Sequence, residues 1–142
     1  MQYSADDARA FMKRYRTLTI EIIHLKAEIR HKEELIGSLG MPGDGMPRGN
    51  NISKPTERDA IYLADKRAEL SALMSEAERE RDEIRDVIGK IEDSAVKDIM
   101  YKRYIEFKAP GTIARETPCD VRTIRRKHRD GLNEAAEILG RK

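Results

Sequence analysis

One cysteine, no tryptophan, two phenylalanines and three histidines are present among the 142 residues of this chain. Each scarcity excludes something. A lone Cys119 closes no internal disulfide and makes no zinc site by itself. With five tyrosines as the other aromatics, no large aromatic-rich core can form. No apolar run approaches the ~20 residues that a bilayer-spanning helix needs. The opening residues Met1-Gln2-Tyr3-Ser4-Ala5-Asp6-Asp7 are polar and acidic, unlike a secretion signal. A cytoplasmic protein without a membrane partner is expected, in which the sequon Asn51-Ile52-Ser53 carries no glycan.

Charge is abundant. Charged residues make up 38% of the chain and hydrophobic ones 39%, a balance typical of long helices and coiled coils. The net charge of +2 hides an asymmetry. Residues 1–94 carry a net −3 and residues 95–142 a net +5. The excess is densest where Arg115, Arg122, Arg125, Arg126, Lys127 and Arg129 face only Glu116 and Asp120. A basic cluster on a near-neutral chain points to one polyanion-binding face.

The hydropathy pattern predicts an all-α protein. Ser4 is placed to cap a first helix, with Asp6 and Asp7 in its first turn. Ala8, Phe11, Tyr15, Leu18, Ile22, Leu25, Ile29, Lys32 and Ile36 recur at alternating steps of three and four, a heptad seam. A helix of that length extends about 50 Å. Five glycines and three prolines then fill the stretch from Gly37 to Pro55, so a Gly/Pro connector is expected over 37–55. A second seam is expected at Ala60, Leu63, Arg67, Leu70, Met74, Ala77, Arg81, Ile84, Ile88 and Ile91. Two such seams joined by a loop predict a long antiparallel coiled-coil hairpin over 1–92. Ile20, Ile23 and Ala27, with Ile61, Ala64 and Ala68, fall off the seams and need a cover. Either the C-terminal helices fold back over them or a second hairpin does. A homodimer is the favoured expectation.

From Asp93-Ser94 onward the pattern changes. Val96, Ile99, Met100, Tyr104 and Ile105 form the buried stripe of a third helix running to about Phe107. Pro110 opens a short helix holding Ile113 and Ala114, and Thr117-Pro118-Cys119 makes a turn. Asp120 caps a last helix with Val121, Ile124, His128, Leu132, Ala135 and Leu139 facing inward. A short helix and a tight turn before a basic helix predict a helix-turn-helix unit over 93–142. Arg122, Arg126 and Arg129 lie opposite the apolar side, with Thr123 at their edge and Arg125 and Lys127 flanking. An arginine fork matches the O6 and N7 acceptors of guanine in a major groove. The helix N-terminus adds backbone N–H donors toward phosphate. Gly131 falls on the inward side, where it permits close packing at a helix-propensity cost of about 1 kcal/mol.

The residues Arg103-Tyr104-Ile105-Glu106, Ile113-Ala114, Asp120-Val121-Arg122-Thr123-Ile124-Arg125-Arg126 and Leu132 resemble region four of bacterial sigma factors. Over roughly Gly37 to Leu139 the chain resembles phage-encoded sigma-region-four-like proteins, including late transcriptional regulators of the RinA/ArpU type. The turn differs, because Thr117-Pro118-Cys119 stands where such turns commonly carry glycine. The resemblance implies sequence-specific binding of double-stranded DNA in a bacterial host, with RNA polymerase as a second partner and residues 120–132 as recognition helix. Arg122, Arg125 and Arg126 are then the base-contacting candidates. Arg115, Thr123, Lys127 and Arg129 are the phosphate-contacting ones.

Two rival readings are carried. A small terminase subunit also combines helix-turn-helix and coiled-coil parts, although that family usually places its DNA-binding unit first. A coiled-coil adaptor that binds an acidic protein is the rival of another class. No catalytic constellation, cofactor motif or metal site is expected. His24, Glu28 and His31 share one outer helical face without inward ligands from other helices. Cys119 has no neighbouring base. The glycine-rich stretch lacks the Gly-Lys-Ser/Thr of a phosphate loop.

Overall fold

The computed structural model describes residues 2–40 and 56–141. Among them every regular element is an α-helix, in the order α1 (Ala5–Met12), α2 (Arg14–Gly40), α3 (Glu57–Gly89), α4 (Ser94–Tyr104), α5 (Pro110–Glu116) and α6 (Val121–Gly140). No helix among the described residues is long and apolar enough to cross a membrane.

The helix starts follow from short polar side chains. The Asp7 N–H donates to Ser4 Oγ at 3.1 Å while the Ser4 N–H donates to Asp7 Oδ2 at 2.8 Å. This reciprocal box satisfies two otherwise orphaned donors. Thr56 and Asp59 repeat it at α3, the Asp59 N–H reaching Thr56 Oγ1 at 3.1 Å. Asp93 accepts from the N–H groups of Ala95 and Val96 at the start of α4. α5 has Pro110 in its first turn and no side-chain cap. The expected single first helix is interrupted at Lys13, and the third ends at Tyr104 rather than Phe107. Residues 37–40 of the expected connector continue α2. The rest of the connector, with Ser53 and Pro55, lies outside the described residues.

The chain forms two compact units, Met1–Thr19 with Glu76–Lys142, and Ile20–Ser75. This division differs from the expected one at 92/93. In the first unit Ala8, Phe11 and Met12 of α1 share one buried cluster with Ile84, Val87 and Ile88 of α3 and Leu132 and Ala135 of α6. The N-terminal helix and the end of α3 therefore pack with the C-terminal helices. Each fully buried Ile, Leu or Met contributes about 1.5–3 kcal/mol, enough to decide that allegiance. A second cluster of Ile99, Ile113 and Ile124 joins α4, α5 and α6, with Cys119 half-buried against it. Gly131 is buried where α6 meets α4. A Cβ there would stand 2.7 Å from Met100 Sδ and 3.0 Å from Val96 Cγ1. Phe107 links α4 to α5 with φ of 59°, an unusual conformation for a bulky residue. Its ring packs on Tyr15 with centroids 5.2 Å apart.

The second unit has Leu25, Ile29 and Leu63 as its buried cluster, with Ile36, Leu70 and Leu73 packed against it. The first expected seam is covered at all nine positions, Ala8 and Phe11 on α1 and the other seven on α2. The α3 seam is not. Ala60, Arg67 and Met74 are exposed. Leu63, Leu70, Ala77, Arg81, Ile84, Ile88 and Ile91 are covered as expected, and Asp59, Lys66, Leu73, Glu80 and Val87 are covered as well. Of the charged ones, Asp59, Lys66 and Glu80 each meet an opposite charge on α2. Lys32 Nζ lies 2.9 Å from Asp59, Lys66 Nζ 3.8 Å from Glu28, and Arg14 3.7 Å from Glu80. Ile20, Ile23 and Ile61, the off-seam positions expected to need a cover, are exposed in the chain.

Candidate nucleic-acid interface

The start of α6 is built by its cap. Asp120 Oδ1 accepts from the Thr123 N–H at 2.8 Å. That bond, a further one from the Thr123 side chain and the Arg126 charge hold the Asp120 carboxyl below its usual range. Ile124, Leu132, Ala135 and Leu139 are buried as expected, while Val121 and His128 are half-buried. Ile124 anchors the first turn in the α4–α5–α6 cluster.

Anchoring that face turns the arginines outward. Arg122, Arg125, Arg126 and Arg129 are exposed. With Val121 and Thr123 they line one shallow concavity of about 610 Å³. Among the described residues, none of the four has a carboxylate within the 4.0 Å of an ion pair. A concavity lined by unpaired guanidinium groups suits an anionic polymer.

The other two candidates stand apart from this concavity. Arg115 is exposed on α5 and donates to Thr112 Oγ1 at 3.3 Å. Lys127 is half-buried on the opposite flank of α6, close enough to Asp93 to help hold that carboxyl low, after the Val96 and Ala95 N–H groups. Lys108 and Lys102 are neutralised locally. Lys108 Nζ lies 2.7 Å from Glu116 and 3.0 Å from Glu106, and Lys102 lies 3.1 Å from Asp98. His24 and His31 are exposed, and their neighbour Glu28 is the carboxylate engaged by Lys66.

His128 ties α6 to α4. Its Nε2 lies 2.5 Å from the Tyr104 hydroxyl, and the rings are 5.5 Å apart. Burial first, then the charges of Arg103, Arg9 and Lys13, push its pKa from 6.5 down to about 4. Those three cations were not singled out from the sequence. Arg9 and Lys13 are more than a hundred residues from α6, and only the folding of α1 onto it brings them near.

The imidazole sets a pH dependence of stability. Its folded value lies below its unfolded one, so its contribution is complete above pH 6.5 and is lost as pH falls toward about 4. Between pH 6.5 and about 5 the unfolded imidazole takes a proton that the folded one refuses. With a discount for partial exposure, about 1–2 kcal/mol is lost there. The lowered carboxyls of Asp93, Asp120 and Glu116 act further down, below their ordinary 3.8–4.5. Urea unfolding at both pH values should show this loss in the wild type and little of it in His128→Gln. Equal losses in both proteins would remove His128 as the cause.

No known family model, curated protein or solved structure matches the chain, so its function is read from the geometry of this site.

Proposed function

We propose that this chain binds double-stranded DNA sequence-specifically as a transcriptional regulator of the phage type. In this reading α5, the turn at 117–120 and α6 act as a helix-turn-helix, and residues 120–132 enter the major groove. α2 and α3 act as the hairpin that carries the unit. The observation that supports this most is the concavity of unpaired Arg122, Arg125, Arg126 and Arg129 at a capped helix start. The resemblance to sigma region four over Arg103–Leu132 points the same way. Arg122, Arg125 and Arg126 are assigned to base edges, and Arg115, Thr123 and Arg129 to phosphates. Lys127, facing Asp93, is the weakest of the assigned contacts.

The test is selection of bound duplexes from a random pool, followed by titration of the selected site with wild type and Arg126→Ala. Arg126→Ala should cost about 1–3 kcal/mol on the preferred site and relax the preference at one base pair. An unchanged affinity and preference would take α6 out of the groove. A wild type that enriches no sequence, and whose DNA affinity does not fall steeply with salt, would favour an acidic protein as partner.

A further inference from the structure

Arg9 and Lys13 lie four residues apart, at the end of α1 and at its C-terminal cap, and both are exposed. α1 packs against α6 through Ala8 and Met12, which share a buried cluster with Leu132 and Ala135. Arg103, from α4, precedes the Tyr104 that bonds His128. Arg9, Lys13 and Arg103 thus converge on the edge of α6 marked by His128, and all three charges are felt by that ring. Arg9 has a neighbouring acid in Asp6 at 3.5 Å, an exposed pair that holds the guanidinium weakly. Among the described residues, Lys13 and Arg103 have no carboxylate within ion-pair distance. Arg103 donates one bond to the Lys108 carbonyl at 3.3 Å.

The order of side chains around α6 connects this cluster to the arginine concavity. At 3.6 residues per turn, going round from His128 passes the half-buried Val121 and the buried Leu132 and then meets Arg125, Arg129, Arg122 and Arg126. No acid stands in that sector. Asp130 and Glu134 lie beyond Arg126 on the other flank, where Lys127 faces Asp93. Apart from Lys127, the cations of α6 therefore lie on one side only, the side that faces α1 and the Tyr104 end of α4.

We infer that Arg9, Lys13 and Arg103 form a second phosphate track, which holds the backbone of the same duplex where it leaves the groove occupied by α6. This rests on the reading of α6 as the groove-entering helix. The track reads no bases, because its cations come from helices that flank α6 rather than from its outward face. Its occupant is the phosphodiester backbone of a duplex long enough to reach past the recognition site.

The experiment measures binding of a labelled duplex over a salt series, once with the selected site and once with a scrambled sequence. The proteins are the full-length wild type, the double variant Arg9→Ala/Lys13→Ala, and the charge-conserving Arg9→Lys/Lys13→Arg. Two lost phosphate contacts should flatten the slope of log affinity against log salt by about 2. Affinity at low salt should fall tenfold or more on both duplexes, with the ratio between them unchanged. The charge-conserving variant should keep the wild-type slope. Thermal melting checks that each variant is folded, and the single variant Lys13→Gln, altering one exposed side chain, should flatten the slope by about 1. A folded double variant with the wild-type slope overturns the track while leaving α6 in its groove. A wild type with no salt-dependent binding to either duplex overturns the α6 reading and the track with it.

Discussion

Gly131→Val should destabilise the protein by about 3 kcal/mol or more, because α4 and α6 touch where that side chain would stand. A single added Cβ already meets Met100 Sδ at 2.7 Å, Met100 Cγ at 2.8 Å and Val96 Cγ1 at 3.0 Å. Met100 is fully buried and Val96 nearly so, so neither has open space to enter. Gly131→Ala is the milder case. It regains about 1 kcal/mol of helix propensity against an overpacking cost of about 1–3 kcal/mol. The measurement is urea unfolding of both variants, alone and combined with Met100→Ala. Removing the Met100 side chain makes room, so the Gly131→Val and Met100→Ala losses should fall short of their sum by 1 kcal/mol or more. Strict additivity would mean that the two helices do not meet at this glycine.

Ile113→Ala should cost about 2–4 kcal/mol and should loosen α5 before anything else. Ile113 is fully buried and is the one buried residue of that seven-residue helix. It packs with Ile99 and Ile124 in a cluster separate from the one holding α1, α3 and the rest of α6. α5 has no side-chain cap, and its polar ties include the Thr117–Ile113 bond and the pairs of Glu116 with Lys108 and Lys102. Truncating Ile113 removes its anchor while the larger cluster keeps its contents. Native-state hydrogen exchange should then show the α5 amides opening at much lower free energy than those of α6 from Leu132 to Leu139. Uniform acceleration across the first unit would instead make the two clusters one cooperative core.

Some of this architecture was legible from residue order, and the reasons for success and failure are specific. Helix starts were readable at Ser4, Asp93 and Asp120 because capping is a local interaction between neighbours. The α2 seam was readable because eight of its nine members are apolar. The first half of the α3 seam was misread for the same reason. Counting apolar residues put Ala60, Arg67 and Met74 on the seam, where Asp59, Lys66 and Leu73 are covered instead, while Ile84, Ile88 and Ile91 are buried as expected. The true alternate positions include Asp59, Lys66 and Glu80, whose covering depends on charges from another helix. No local pattern announces a partner supplied from that far away. The allegiance of α1 was hidden likewise, since Ala8, Phe11 and Met12 continue the heptad pattern of α2 yet share their cluster with α6. In the candidate site, the outward set Arg122, Arg126 and Arg129 followed from the 3.6-residue repeat. The isolation of Arg115 from it did not, because that depends on how α5 is placed.

The charged members of the α2 and α3 seams also act as an alignment key. Asp59 and Lys66 are one heptad apart, and Lys32 is paired with Asp59. Sliding α3 along α2 by one heptad would keep nearly every apolar residue on the seam, so greasy contacts alone barely distinguish the two registers. The same slide brings Lys66 to the place of Asp59, opposite Lys32, and sets cation against cation. It also takes Lys66 away from Glu28 and offers that carboxylate Leu73 in its place. Polar seam residues give up stability and in exchange penalise the misaligned pairing, much as a single polar residue fixes register in a coiled coil. In this chain the penalty rests on lysines and carboxylates that are only partly covered, so added salt should erode the choice between registers sooner than it erodes the helices themselves.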